Sequence, residues 1–295
     1  MKNLKHGWFV LNKPQHMTSM KALSILKRAI GIKKAGHAGT LDPLAYGVLP
    51  IAFGEATKLI PYAQDAHKKY RFIVAWGEER TTDDLEGEIV STSTIRPALH
   101  EIEAILPQFL GKIMQKPPAF SAIKIEGERA YDLARKGHDI ADKIKAKEIE
   151  VFALNIVDHQ PNQTTFIANV SKGSYVRSLA HDMGRLLGCY GHVIDLERLQ
   201  VGCFDLKLAV MLDSVYSSTS EYLRSQILPL ETVLDDILAL AISRQDAAKF
   251  CHGQSLNLPD YPNKDIIMVK TEDTLLGLAC ILEGQLIPKR IFNLN

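Results

Sequence analysis

One carboxylate in this chain has surroundings unlike those of the others. Asp42 lies within Gly36-His37-Ala38-Gly39-Thr40-Leu41-Asp42-Pro43-Leu44-Ala45-Tyr46-Gly47. Pro43 biases Asp42 away from helical backbone, and the flanking glycines permit turns and close approach of another molecule. The carboxylate is therefore expected on a loop, presented outward. An aspartate with a reference pKa of about 3.9 is ionised at neutral pH and can serve as nucleophile or general base. The same dipeptide also reads as a simple Asp-Pro turn between two elements, and spacing alone leaves both readings open. Other chemistries find little support. Cys189, Cys203, Cys251 and Cys280 are scattered with no CxxC pair, which argues against a zinc site or a disulfide framework and suits a reducing compartment. His16, His67, His181 and His192 show no ligand spacing with His37, so no metal site is expected. Neither GxGxxG nor GxxxxGK[ST] occurs, so no cofactor is expected either.

With 295 residues the chain can bury one large core, or a larger domain with a small appendix. Hydrophobic residues at 46% and charged residues at 23% are ordinary for a soluble globular protein. No run of eighteen apolar residues occurs, and Met1-Lys2-Asn3-Leu4-Lys5-His6-Gly7 offers no signal-peptide core, so the expectation is a cytoplasmic protein without a membrane span. A net charge of only +1 means that any nucleic-acid surface must come from locally segregated Lys and Arg.

Over a longer span, His37-Ala38-Gly39-Thr40-Leu41-Asp42-Pro43-Leu44-Ala45, then Gly47, Leu49 and Pro50, continuing Ile51-Ala52-Phe53-Gly54-Glu55-Ala56-Thr57-Lys58, resembles the active-site motif of the TruB-type tRNA pseudouridine-55 synthases. The resemblance runs from about Gly7 to Ile291 and is densest at 36–58 and 171–199. It implies an RNA isomerase that converts uridine 55 in the tRNA T-arm stem-loop to pseudouridine, with no cofactor, no metal, no membrane and no obligate protein partner. It implies further that Asp42 is the catalytic carboxylate. Ser171-Lys172-Gly173-Ser174-Tyr175-Val176-Arg177-Ser178-Leu179 resembles the family segment whose arginine pairs with that aspartate, which assigns this role to Arg177. Arginine suits the task because it stays charged and binds carboxylates through two donors. Tyr70 stands at the place of the tyrosine that stacks on the extruded uracil, and its hydroxyl could serve in proton removal from C5. His37 corresponds to the histidine that fills the space left by the flipped base. Lys13 supports the loop near Asp42, Tyr175 lines the pocket, and Leu196 forms an apolar wall. Asp84 belongs to a network with Arg177 or the base edge, with Asp83 beside it as the competing match. Tyr46 and Glu197 depart from the family pattern, where a small Thr or Ser and an Arg are usual. The first is expected to narrow the cavity mouth, and the second to remove a phosphate contact. Two rivals remain in view. One is a guide-RNA-dependent synthase, the other an RNA-binding factor without catalysis.

These residues need elements to hold them. Gly7 to Pro14 reads as a buried strand stopped by proline. Thr18 or Ser19 then caps a helix whose apolar face is Ala22, Leu23, Ile25, Leu26, Ala29 and Ile30, ended by Gly31. Tyr70 to Trp76 alternates as a strand, and a helix is expected over Pro97–Ile105. Residues 147–157 and 164–170 read as a hairpin through Pro161-Asn162, and Ser174 or a neighbour opens a helix to about Leu187, closed by Gly188. Ser217-Ser218-Thr219-Ser220 is the most linker-like stretch. The fold class expected is α+β, a mixed and mainly antiparallel sheet with flanking helices (the pseudouridine synthase fold). Residues 1–240 would form the catalytic domain and 241–295 a small β-rich, PUA-like RNA-binding module.

Overall fold

The computed structural model describes residues 5–121, 123–125, 127–136, 140–272 and 274–294. Its main body is a ten-stranded mixed sheet. In chain order the elements that matter are β1 (Gly7–Lys13), α1 (Ser19–Ile30), β2 (Ala35–His37), β3 (Tyr46–Phe53), β4 (Lys68–Trp76), β5 (Gly111–Gln115), β6 (Lys147–Gln160), β7 (Gln163–Val170), α2 (Val176–Leu186), β8 (Gly191–Val201), β9 (Phe204–Asp205) and β10 (Val210–Met211). The strands run β10-β1-β3-β8-β4-β7-β6-β5, with β2 on β3 and β9 on β8. Among the described strands of this sheet, only β10–β1 and β3–β8 pair in parallel. The β3–β8 join is brief, registering Glu197 with Tyr46 and Arg198 with Gly47. It ties one group of strands (β10, β1, β3, β2) to another (β8, β4, β7, β6, β5, β9).

Local signals explain most boundaries. The Thr18 hydroxyl accepts from the Lys21 N–H at the start of α1, and Gly31 ends it at φ +75°, a left-handed value that glycine adopts without strain. Phe72, Val74 and Trp76 are buried on one face of β4, as the alternation requires. β6 and β7 form the expected hairpin through Pro161-Asn162. α2 begins two residues later than expected. The Gln115 side chain holds the main chain of Tyr175 at both its N–H (2.7 Å) and its carbonyl (3.0 Å), keeping that residue out of the helix. The helix after Pro97 likewise starts late, at Leu99, because the Glu101 carboxylate caps the Ala98 N–H at 2.7 Å. The serine-rich stretch is no linker. Thr219 caps a short helix, Ser220–Ser225, and the Ser220 hydroxyl donates to the Ile30 carbonyl.

Two layers of core clasp the sheet. α2 packs on the face made by β4, β7 and β8, with Phe72, Val74, Phe166, Leu179, Met183 and Val193 buried there. α1 covers β1 and β3 through Leu23, Leu26, Phe9, Leu49 and Ile51. A second sheet follows, built from β11 (Ala239–Ala241), β12 (Leu256–Asn257), β13 (Lys264–Lys270), β14 (Leu275–Leu282) and β15 (Gln285–Ile291) in the order β11-β13-β14-β15-β12, with α3 (Arg244–Cys251) against it. It has its own core around Phe250, Val269 and Ile281. Its outer side joins the main body through Trp8, Ala56, Leu230, Met268, Leu278 and Phe292. The expected class, α+β with a mainly antiparallel sheet and a small β-rich C-terminal unit, is what the structure has.

Candidate active site

Asp42 sits on the connection between β2 and β3, with its side chain 40% exposed. The loop is held from three sides. The Ser19 hydroxyl, at the first turn of α1, accepts from the Leu41 N–H at 2.8 Å and donates to the Leu41 carbonyl at 3.0 Å. The Pro43 carbonyl accepts from the His16 N–H at 2.7 Å. From β8, the Arg198 guanidinium donates to the carbonyls of Gly39 (3.0 Å), Thr40 (3.4 Å) and Val48 (2.7 Å).

Arg177, in the first turn of α2 and 5% exposed, meets Asp42 at 2.8 Å (Nη2 to Oδ2). Its other amino group lies 3.3 Å from Oδ2 of Asp84 and donates to the Thr82 carbonyl at 2.9 Å. Nη2 also donates to the Phe120 carbonyl at 3.0 Å. One buried cation is thus shared between a half-buried carboxylate and a fully buried one. Asp84 is fixed in turn by the Thr82 hydroxyl at 2.5 Å and the Glu86 N–H at 3.0 Å. Of the adjacent aspartates, Asp84 is the one that faces Arg177, while Asp83 turns to His181 at 3.0 Å.

Asp42 and Arg177 open into a cavity of about 320 Å³ that Tyr70, Tyr175, Leu196, Lys68 and Arg198 also line. That size falls within the range of small-molecule pockets. The register explains the wall. Tyr70 pairs with Arg198 and Phe72 with Leu196, so Tyr70, Leu196 and Arg198 share one face of the sheet. The Ser174 hydroxyl is buried at this cavity without a protein partner among the described residues. Burial pushes the Tyr175 phenol above its ordinary pKa.

Three of the residues assigned a site role from sequence stand outside the cavity wall. Asp84 pairs with Arg177 and does not line the cavity. Lys13 is fully buried at the end of β1, donating to the carbonyls of Pro14 (2.8 Å) and Met17 (2.6 Å). Burial lowers its pKa to about 8, against a counter-pull from Asp42. His37, on β2, has a buried Nδ1 with no partner among the described residues, and burial followed by the Arg198 charge lowers its pKa. Tyr46 and Glu197 lie on the opposite face of the sheet, so Tyr46 does not narrow the cavity mouth. Arg71 donates to Glu197 (3.1 Å), to the Tyr46 hydroxyl (2.7 Å) and to Asp195 (3.0 Å), making one network of the two unusual residues. Sequence reasoning passed over Arg198 and Lys68. Arg198 stands two residues after Leu196, the spacing that puts two strand residues on one face. Among the described residues, no group of His, Cys, Asp and Glu could hold a metal ion, and no helix is long and apolar enough to cross a membrane.

Residues 27–176 match the TruB family pseudouridylate synthase N-terminal domain. The chain belongs to the TruB family. Further along, residues 177–235 match the tRNA pseudouridylate synthase B C-terminal domain, and 239–292 the pseudouridine synthase II TruB C-terminal model. A tRNA pseudouridine synthase B of Nitrobacter winogradskyi is 51% identical over 98% of this chain and 83% of its own length. One from Ehrlichia canis is 44% identical over 98% of each chain. Among solved structures, an H/ACA ribonucleoprotein bound to a substrate RNA containing 2′-deoxyuridine has a TM-score of 0.74 at 21% identity, covering 99% of this chain and 86% of that one. That likeness is one of fold. As a TruB-family member, this chain is an isomerase of the pseudouridine synthase class.

Proposed function

We propose that this chain converts uridine 55 in the T-arm of tRNA to pseudouridine, alone, without cofactor or guide RNA, in the cytoplasm. The observation that carries the reading is the 2.8 Å pair between Asp42 and Arg177 on the wall of a cavity large enough to take a base. The curated relatives that bear the name tRNA pseudouridine synthase B support the choice of RNA.

The isomerisation breaks the bond from C1′ to N1, turns the base, and joins C5 to C1′. The C5 proton is lost and N1 gains one, so atoms balance with no redox change and no net hydrolysis. Asp42 is the catalytic carboxylate. Whether it attacks C1′, adds to the base or removes a ribose proton, it must be ionised, and Arg177 favours that state in a site that water leaves on RNA binding. Asp84 acts on Arg177 and thereby aims it. Tyr70 offers the base a ring to stack on, worth about 1–3 kcal/mol, and a hydroxyl near C5. Reaching the uridine requires flipping it from the T-loop, which costs a few kcal/mol. His37, kept neutral by burial, offsets that cost by occupying the vacated space. Tyr175 and Leu196 bound the pocket, and Lys13 steadies the charge around Asp42. We assign catalysis to residues 1–240 and RNA contact to a small module at 241–295, whose first strand starts slightly earlier, at Ala239.

The test is tritium release from a T-arm stem-loop labelled at C5 of uridine, for wild type and Asp42→Asn, with no metal, cofactor or guide RNA. Release by the wild type alone, with RNA binding kept in the variant, is the expected result. Equal release by both would remove Asp42 from the chemistry. No release by either, with binding intact, would favour a guide-dependent enzyme or a binding factor.

A further inference from the structure

We propose that Arg198 is a positioning residue of this site, a clasp on β8 that fixes the loop carrying Asp42 by holding the Gly39, Thr40 and Val48 carbonyls together. The inference rests on the reading of Asp42 as the catalytic carboxylate and adds a residue to it.

Arg198 is 1% exposed, among the largest fully buried side chains. Among the described residues it makes no ion pair; its donors go to the three main-chain carbonyls, at 3.0, 3.4 and 2.7 Å. A buried cation without a carboxylate is costly unless other dipoles compensate it. Here the compensating dipoles belong to the two residues at the start of Gly39-Thr40-Leu41-Asp42 and to the strand that follows. The guanidinium is a rigid fork, so it sets the spacing of the carbonyls it binds.

One motif glycine fits the same purpose. A Cβ on Gly47, at φ +101°, would stand 2.4 Å from the Arg198 carbonyl oxygen and 3.1 Å from its nitrogen. Only glycine lets the Arg198 main chain lie against β3 at that point. Gly39 takes φ +96°, and a Cβ there would stand 3.5 Å from Nη1 of Arg198. At that distance a Cβ on Gly39 would make only ordinary contact, so Gly47 alone is a seat for Arg198, on its backbone, while Gly39 serves the positive φ of the loop itself. Its charge also reaches outward. After burial itself, it contributes to pushing His37 and Lys68 toward their neutral forms.

The experiment compares wild type, Arg198→Lys, Arg198→Gln and Asp42→Asn on a T-arm stem-loop, reading single-turnover rate and RNA Kd separately. Lysine keeps the charge but cannot span three carbonyls. A misplacement of about 1 Å at a reacting group can cost roughly 100-fold in rate. The expected result is a loss of that order in the single-turnover rate for both Arg198 variants, with Kd within about threefold of wild type. Hydrogen exchange should show faster exchange confined to residues 38–48. Full rescue by lysine would mean that only the charge matters, and parallel losses of rate and Kd would make Arg198 an RNA contact; either overturns the clasp. Loosening across the whole chain would make the role merely structural and overturn it too. If neither variant folds, the wild type still decides: NMR should show slow rotation about the Arg198 Nε–Cζ bond, and a freely rotating guanidinium refutes the proposal. Asp42→Asn separates the two ideas. Release retained there defeats the catalytic reading, whereas an inactive Asp42→Asn beside a fully active Arg198→Lys defeats the clasp alone.

Discussion

Replacing Glu55 with glutamine should loosen the join between the large sheet and the small one. Glu55 follows β3, its side chain 10% exposed, with Lys34 at 2.9 Å and Lys58 at 2.6 Å. Its second oxygen accepts from the Asn293 N–H at 3.0 Å, and Lys58 donates to the Ile291 carbonyl at 2.7 Å. One carboxylate thus ties the residues after the Asp42 loop to the strand that closes the small sheet. Burial opposes its ionisation, but the bonds from Lys58, Lys34 and Asn293 prevail and bring its pKa from 4.5 to about 2. At about 1.4 kcal/mol per unit this corresponds to roughly 3 kcal/mol at neutral pH, and screening at the exposed Lys34 makes that an upper value. A depressed carboxylate pKa stabilises the fold above about 4.5, and that contribution is lost as pH falls toward 2. Urea unfolding followed by the fluorescence of Trp8, which is buried at the join, should place Glu55→Gln about 2–3 kcal/mol below wild type at pH 7. By pH 3 the gap should fall to less than half. A gap under about 0.5 kcal/mol at pH 7, or one that does not change with pH, refutes the argument.

Other substitutions probe the site itself. Arg177→Lys, which loses the two-pronged hold on Asp42 and Asp84, should lower the single-turnover rate at least 100-fold while RNA Kd changes little, read by tritium release and filter binding. Glu197→Arg would install the residue usual in the family, yet here it faces Arg71, and thermal melting should show a loss of about 1–2 kcal/mol. Gly47→Ala combines a positive φ with a Cβ 2.4 Å from a carbonyl oxygen and should cost at least about 2 kcal/mol, visible as a lowered urea midpoint. Lys13, with its pKa pulled down to about 8 by burial, should impose a fall in rate above that pH as its charge is lost. Lys13→Arg, which does not titrate there, should move the alkaline limb up by more than one unit in a pH–rate profile.

What could be read in the chain beforehand follows the range of the signals. The α1 caps at Thr18 and Gly31 are local, and so is the alternation in β4. The Asp42 loop was legible because Pro43 restricts the backbone of Asp42 while the flanking glycines permit the turns around it. β8 was not read as a strand, although it is central. Its register shifts between Val193 and Asp195 and again between Arg198 and Gln200, and these bulges break the period of two. Between the two bulges Leu196, Glu197 and Arg198 alternate regularly, so once the strand is recognised the spacing from Leu196 puts Arg198 toward the cavity and Glu197 away from it. The choice between Asp83 and Asp84 turned on a left-handed φ of +58° at Asp83, which only the folded chain reveals. The expectation that Tyr46 narrows the cavity mouth rests on its place within the motif, where the family usually has a small Thr or Ser. One step along a strand reverses the side on which a residue appears.

The brief parallel join of β3 to β8 has a mechanical meaning. Asp42 comes from the strands on one side of that seam, and Arg177, Tyr70 and Leu196 come from the other. All three hydrogen bonds of the Arg198 guanidinium cross it. The geometry of the candidate site is therefore the alignment of two plates, much as in sites that form only where two subunits meet. Each plate can keep its own shape while the site between them is spoiled by a shift in how they abut. Loss of function without loss of folding should concentrate at side chains such as Arg198, whose hydrogen bonds cross from one plate to the other.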